Sequence, residues 1–212
     1  AETLEDLDFA QHILRAENGI PMQAPMQLPI PPDQDFEFHV DASTSWGWGA
    51  WCKVGDTIHY CFGEWSPAEK LLQINPLEMG GLYLAHKAFA DIVHNRRLPI
   101  QFRHAQSCHA VSIRFRAKSD NTPSVSGTNT WQSNSAVIVR ILKLLYVDMA
   151  ISRSVIDASH VPGETNFGAD RLSRGKEAEF LTFARNRASS VISIAPQTLA
   201  STRARLSAAL TG

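Results

Sequence analysis

Three strand signals arrive in close succession between residues 36 and 65, and they dictate the kind of sheet this chain can build. In FEFHV the apolar Phe36, Phe38 and Val40 alternate with Glu37 and His39, the two-residue period of a strand with one buried face. WGWGAWCKV and TIHYCFGEW come next, with Gly55 and Asp56 between them as a hairpin turn. Connections this short join only antiparallel neighbours, so the sequence predicts a three-strand antiparallel meander.

Beyond the meander, helix and strand alternate. Pro76 suits the first turn of a helix, and LEMGGLYLAHKAFADIVHN continues it, with Leu77, Leu84, Ala88 and Ile92 turned to a sheet and Asn95 and Pro99 closing it. SIRFRAKSD reads as a fourth strand through Ile113, Phe115 and Ala117. SNSAVIVRILKLLYVDMA is a second long helix, capped by Ser133 or Ser135, with Val137, Ile141, Leu144, Leu145 and Met149 on its apolar face. VIDASHV is a fifth strand, and NFGADRLSR begins a third helix with Asn166 placed to cap it. The expected class is α/β: a five-stranded mixed sheet, three antiparallel strands then two parallel, flanked by helices.

The two ends read differently from this middle. TLEDLDFAQHILRA, residues 3 to 16, has the spacing of a short amphipathic helix, and the proline-rich IPMQAPMQLPIPPD after it is an extended connector. The expected divisions are a connecting helix and linker over 1–35, the main domain over 36–187, and a tail over 188–212 with a final helix. The chain starts without Met, as a piece of a longer polypeptide would.

Composition excludes some classes. With 44% hydrophobic and 19% charged residues the chain can fill a core and is far from the disordered corner. A net charge of -1 decides little about nucleic acid, since a metal-dependent nuclease gathers carboxylates at its centre and keeps its cations at the rim. Cys52, Cys61 and Cys108 have no paired spacing, so a reducing, intracellular compartment is expected. His104, Cys108 and His109 make one cluster where a structural zinc site needs two close ligand pairs. No apolar run reaches membrane-spanning length, and the acidic start AETLEDLDF is unlike a secretory signal, so no membrane partner is expected.

Four acids stand where chemistry could use them. Asp41 closes the first strand, Glu78 is placed in the first turn of the long helix, Asp120 closes the fourth strand, and Asp170 is in the first turn of the third helix. Strand ends and helix starts are where separate elements converge at one rim of a sheet. Each acid alone has an ordinary explanation: Asp41 and Asp120 as turn formers, Glu78 and Asp170 as partners of a helix dipole. Asp91, Asp148 and Asp157 are read as solvated or capping groups. Hard carboxylate oxygens suit Mg²⁺ or Mn²⁺, and two such ions can serve an in-line phosphoryl displacement.

DASTSWGWGAW, INPLEMGGLYLA, AKSDNTPSV and HVPGETNFGADRLSR resemble, in order, the four catalytic blocks of ribonuclease H domains from retroelement reverse transcriptases. The last block is similar to the pattern of Gypsy-type and DIRS-like elements, and the resemblance covers about residues 36 to 174. It implies a ribonuclease H-like fold and metal-dependent cleavage of the RNA strand of RNA/DNA hybrids, leaving a 3′ hydroxyl and a 5′ phosphate. It also implies roles: Asp41 shared by two metals, Glu78 and Asp120 completing the site near the leaving group, and Asp170 at the metal that activates water. Ser43, Thr44, Asn75 and Asn121 lie beside these acids and are expected to contact sugar hydroxyls or phosphates. A polymerase domain of the parent polyprotein is the expected covalent partner.

Three features depart from that pattern. The 42 positions from Glu78 to Asp120 are more than a helix and one strand need, so the basic stretch 95–111, with Arg96, Arg97, Arg103, His104 and His109, reads as an insertion and a phosphate-contacting rim or a solvated loop. His160 falls on a strand and is read as structural, and Trp46, Trp48 and Trp51 as packing or edging the substrate groove. The chain contains no polymerase segment. An inactive domain of the same fold that binds nucleic acid or protein is the alternative reading; a transposase or integrase core fits ADRLSR poorly.

Overall fold

The computed structural model describes residues 35–97, 113–152 and 154–211. The meander is β1 (Asp35–Ala42), β2 (Gly47–Val54) and β3 (Thr57–Glu64), succeeded by α1 (Ile74–Arg97). Then come β4 (Ile113–Ser119), α2 (Thr122–Thr130), α3 (Ala136–Ser152) and β5 (Ser154–His160). The described chain closes with α4 (Phe167–Ser173), α5 (Glu177–Arg185), β6 (Ser190–Ser193) and α6 (Ala200–Thr211).

The spatial strand order is β5-β4-β1-β2-β3-β6. β1 pairs antiparallel with β2 and β2 with β3, while β4 joins β1, β5 joins β4 and β6 joins β3 in parallel. Gly55, at φ 60°, makes the β2–β3 turn, a backbone region that a side chain would strain. This is the mixed α/β class expected from the sequence, three antiparallel strands followed by parallel ones, with one correction: the sheet has six strands. The sixth comes from the segment read as a tail, because SVIS is too short and too exposed to carry an alternation signal of its own.

The strand alternation sets the core. Phe36, Phe38 and Val40 of β1 and Phe115 and Ala117 of β4 are buried on one face under α1. Phe36 meets Phe115 edge-on at 5.3 Å, and Phe38 lies 5.6 Å from Phe89 of α1. Burying each such ring contributes roughly 1.5–3 kcal/mol. Helix α1 is buried on more than the single face predicted, since Met79, Leu82, Tyr83 and Phe89 are enclosed as well. The reason is that α1 touches the sheet, α2, α3 and α6 together. On the other face Leu172 of α4 and Phe180 and Ala184 of α5 cover Ile58 and Tyr60 in a smaller cluster. Gly49 permits that approach: a Cβ there would stand 2.2 Å from Leu172 Cβ.

Helix α2 has no counterpart among the sequence expectations. TPSVSGTNT has almost no apolar periodicity, yet Asn121 caps it by accepting the Ser124 N–H at 2.8 Å, and Pro123 sits in its first turn. Helix α3 uses Ser135 as anticipated, accepting from the Ile138 N–H at 3.4 Å, with a buried face through Ile138, Ile141, Leu142, Leu145 and Met149. Asn166 stands before α4 but does not cap it; its side-chain amide donates to the Val40 carbonyl at 2.9 Å and ties α4 to β1.

The closing helix α6 is anchored by two charge pairs. Arg203 forms a bidentate pair with the fully buried Glu69, and Arg205 reaches Asp148 at 3.0 Å. Asp148 is 2% exposed and also accepts the Tyr83 hydroxyl at 2.9 Å, which corrects its reading as a solvated group. Asp157 is exposed as expected, 3.3 Å from Arg114. Cys52 and Cys61 are buried thiols outside any disulfide. The helix at 3–16, the linker after it, the cluster of His104, Cys108 and His109, and the side chain of Asp91 lie outside the described residues, as does most of the basic stretch, whose residues 95–97 finish α1. No helix among the described residues is long and apolar enough to cross a membrane.

Candidate metal centre

Asp41, Glu78 and Asp120 reach one rim of the sheet from three elements. β1 and β4 run parallel side by side, with His39 opposite Lys118, so the residues that leave their ends emerge together. Asp41 falls near the end of β1 and Asp120 one residue beyond β4. Glu78 is the fifth residue of α1, not a first-turn acid as expected, because the helix begins at Ile74 ahead of Pro76. One carboxylate oxygen from each of the three lies within 4.8 Å of the others.

The first two acids are enclosed, with Asp41 5% and Glu78 4% exposed; Asp120 is half-buried at the mouth. Burial raises the Asp41 carboxyl to about 7; the Ser173 hydroxyl bond opposes this, and the charges of Asp120 and Asp170 add to it. Burial also holds Glu78 well above the usual carboxylate range, reinforced by Asp41 and Asp120. Two like charges about 4 Å apart repel by roughly 4 kcal/mol at an effective dielectric near 20. Such a group cannot stay fully ionised without a cation.

A divalent cation fits this donor set. All three groups offer hard oxygens. Glu78 accepts the Ala42 backbone N–H, but its Oε2 is buried with no hydrogen-bond partner. A buried orphan acceptor is costly, and a cation among the acids would satisfy it.

Asp170 stands apart from this close group. It lies in the first turn of α4, near enough for its charge to act on Asp41, but its Oδ1 accepts from Arg174 Nε at 2.6 Å. Arg171 Nε is 3.8 Å from its other oxygen. Ser173, one turn along, donates to Asp41 Oδ2 and to the Asp170 carbonyl. Sequence reasoning missed Ser173, Arg174 and Asn166 as parts of the site; the signal was their helical offset from Asp170 in NFGADRLSR.

The polar residues beside the acids divide. Ser43 is buried in the β1–β2 turn, where its hydroxyl bonds Ser45 at 2.7 Å, while Thr44 is exposed. Asn121 is the α2 cap, and its side-chain amide donates to Asn75 Oδ1 at 3.1 Å, linking β4 to α1 across the mouth. His160, read as structural, is exposed at the end of β5, opposite Ser119 in register. The loop after it passes Asp120 closely: a Cβ on Gly163 would be 3.0 Å from Asp120 Oδ2. Of the tryptophans, Trp48 is in the core, Trp46 stacks on Phe62 at 5.8 Å, and Trp51 stacks on His39 at 4.6 Å on the opposite face.

No protein-family model and no curated protein matches the sequence. Solved structures similar to the chain include two ribonucleases H. One is RNase H1 from the halophilic archaeon Halobacterium salinarum NRC-1, at 14% identity and a TM-score of 0.43, covering 68% of this chain and 98% of that one. The other is the N-terminal RNase H domain of a Mycobacterium tuberculosis protein, determined as a fusion with maltose-binding protein. It has 14% identity and a TM-score of 0.41, covering 71% of this chain and 98% of that one.

Proposed function

We propose that the chain is a metal-dependent endoribonuclease that cleaves the RNA strand of RNA/DNA hybrids, and that it derives from a retroelement polyprotein in which a polymerase domain was its partner. The observation that carries the reading is the meeting of Asp41, Glu78 and Asp120 within 4.8 Å, with an orphaned buried oxygen on Glu78. Asp41, Glu78 and Asp120 would hold one Mg²⁺ or Mn²⁺, and Asp41 and Asp170 a second. Two such ions, when bound, stabilise the attacking and leaving oxygens of an in-line displacement.

The chain's own residues do the rest of the work. Asp41 is fixed by Ser173, and Glu78 by the Ala42 N–H, so neither carboxylate needs to reorganise before the reaction. A water oxygen bonds to phosphorus as the bond to the 3′ oxygen breaks, leaving a 3′ hydroxyl and a 5′ phosphate. Thr44, exposed beside Asp41, and Asn75 and Asn121 at the mouth would meet sugar and phosphate, with Ser43 shaping the turn that carries Thr44. Residues 36–187 would carry this activity, with β6 and α6 packed onto them.

The test is incubation of a labelled RNA/DNA hybrid with the protein and Mg²⁺ or Mn²⁺, beside Asp41→Asn. Cleavage of the RNA strand by the parent alone supports the proposal; no cleavage by either overturns it. One observation favours a second reading, binding of nucleic acid without cleavage: Arg174 holds Asp170 outside the close group. Hybrid retention with no cleavage at any divalent cation concentration would favour that reading.

A further inference from the structure

Among the described residues, Arg174 is the cation that touches an acid of the site while its side chain stays half exposed to solvent. Its Nε is 2.6 Å from Asp170 Oδ1, and its side chain is 51% exposed against 26% for Asp170. Its neighbour Arg171 is pinned: 3.3 Å from Glu179 and 4.6 Å over the Phe167 ring. The charges of Asp41 and Asp120 also act on Arg174, so the guanidinium sits inside the field of three of the four acids.

We infer that Arg174 is an exchangeable counter-ion: it holds Asp170 while the acids lack cations, and when they are filled it turns to a phosphate of the nucleic-acid backbone beside the site. This rests on the nuclease reading above and names a residue that reading does not use. Charge balance supports it. Asp41, Glu78, Asp120 and Asp170 carry four negative charges when ionised, which two divalent cations neutralise. Arg174 is then a surplus positive charge at an exposed rim, and a phosphodiester supplies its match. Geometry supports it too. A guanidinium is a planar fork that binds carboxylate and phosphate oxygens in the same way, so the exchange costs no change of binding mode. Four residues along a helix place Arg174 one turn above Asp170, within reach of a backbone that lies across the acids.

The test uses the full chain and two variants, Arg174→Gln and Arg174→Lys. Mn²⁺ alone is titrated calorimetrically at low ionic strength, without nucleic acid. Arg174→Gln, freed of the competitor, is expected to bind the weaker Mn²⁺ ion about threefold more tightly than the parent. Hybrid binding is measured separately in Ca²⁺ over a range of salt. Arg174→Gln is expected to bind more weakly, with the slope of log affinity against log salt reduced by about 0.9, the value of one phosphate contact. Arg174→Lys should keep that slope while losing part of the affinity. Mn²⁺ binding and a salt slope both unchanged in Arg174→Gln overturn the proposal and leave the nuclease reading standing. A parent that binds no Mn²⁺ at all overturns both.

Discussion

The hydroxyl of Ser173 donates a hydrogen bond to Oδ2 of Asp41, although 132 positions separate the two residues. The bond joins α4 to the end of β1 at the centre of the acidic group. It favours the ionised form of Asp41 and so works against the burial that raises that carboxyl to about 7.

Removal of this bond in Ser173→Ala is therefore expected to push Asp41 higher still, so that cations compete with a proton at more alkaline pH. The midpoint of Mg²⁺ binding against pH should rise by about one unit. Calorimetric titrations at intervals between about pH 6 and 9 measure it. A midpoint that does not move would mean the hydroxyl only fills space.

Stability without cations should fall as pH rises. Asp41 has an ordinary value of 3.8 in the unfolded chain and about 7 in the fold, so in that window the native state keeps a proton the unfolded state has released. The loss is up to about 1.4 kcal/mol per pH unit for each such group, and Glu78 acts in the same direction. Asp41→Asn abolishes the effect at its own site. At about pH 8 in a chelator the variant should be more stable than the parent by roughly 1–3 kcal/mol, and saturating Mg²⁺ should narrow or invert the gap. Urea unfolding in both conditions reads this directly; a parent more stable than Asp41→Asn in the chelator contradicts it.

Asp120 is half-buried at the mouth, and the structure around it, the α2 cap and the Gly163 loop, does not depend on its charge. Asp120→Asn is expected to abolish cleavage without loss of stability, because it removes one of the like charges that crowd Asp41 and Glu78. Circular dichroism melts beside the hybrid assay separate the two effects, and unfolding of the variant would make Asp120 a structural turn acid.

Loss of Arg205 should be felt in stability. Arg205→Ala leaves the Asp148 carboxylate buried with the Tyr83 hydroxyl as its remaining partner of the pair described. The expected cost is about 2 kcal/mol, below that of a fully enclosed pair because the guanidinium is 40% exposed. Denaturant midpoints test it, and Mg²⁺ affinity of the folded variant should match that of the parent.

Much of the fold is legible in the residues. The meander is visible because Phe36, Phe38 and Val40 alternate and Gly55 breaks the run, and Asp41 and Asp120 are visible because each closes a strand. Helix α2 is not, since Ser, Thr and Gly dominate it and its buried positions are Ser124, Gly127 and Thr128. Strand β6 is hidden because four residues with one half-buried side chain carry no period. Asp148 looks solvated because its partner Arg205 is 57 positions away, and no local rule couples them. Asp170 is placed correctly on its helix, but the choice between Arg174 and the other acids is a matter of side-chain direction, which spacing does not reveal.

The anchoring of α6 has a consequence for how the chain is made. Glu69 and Asp148 find their cationic partners in Arg203 and Arg205, and those arginines leave the ribosome after both acids. Until then Glu69 has the Ser66 backbone N–H and Asp148 the Tyr83 hydroxyl as neutral partners, and the nascent chain lacks the two guanidinium charges that balance these acids.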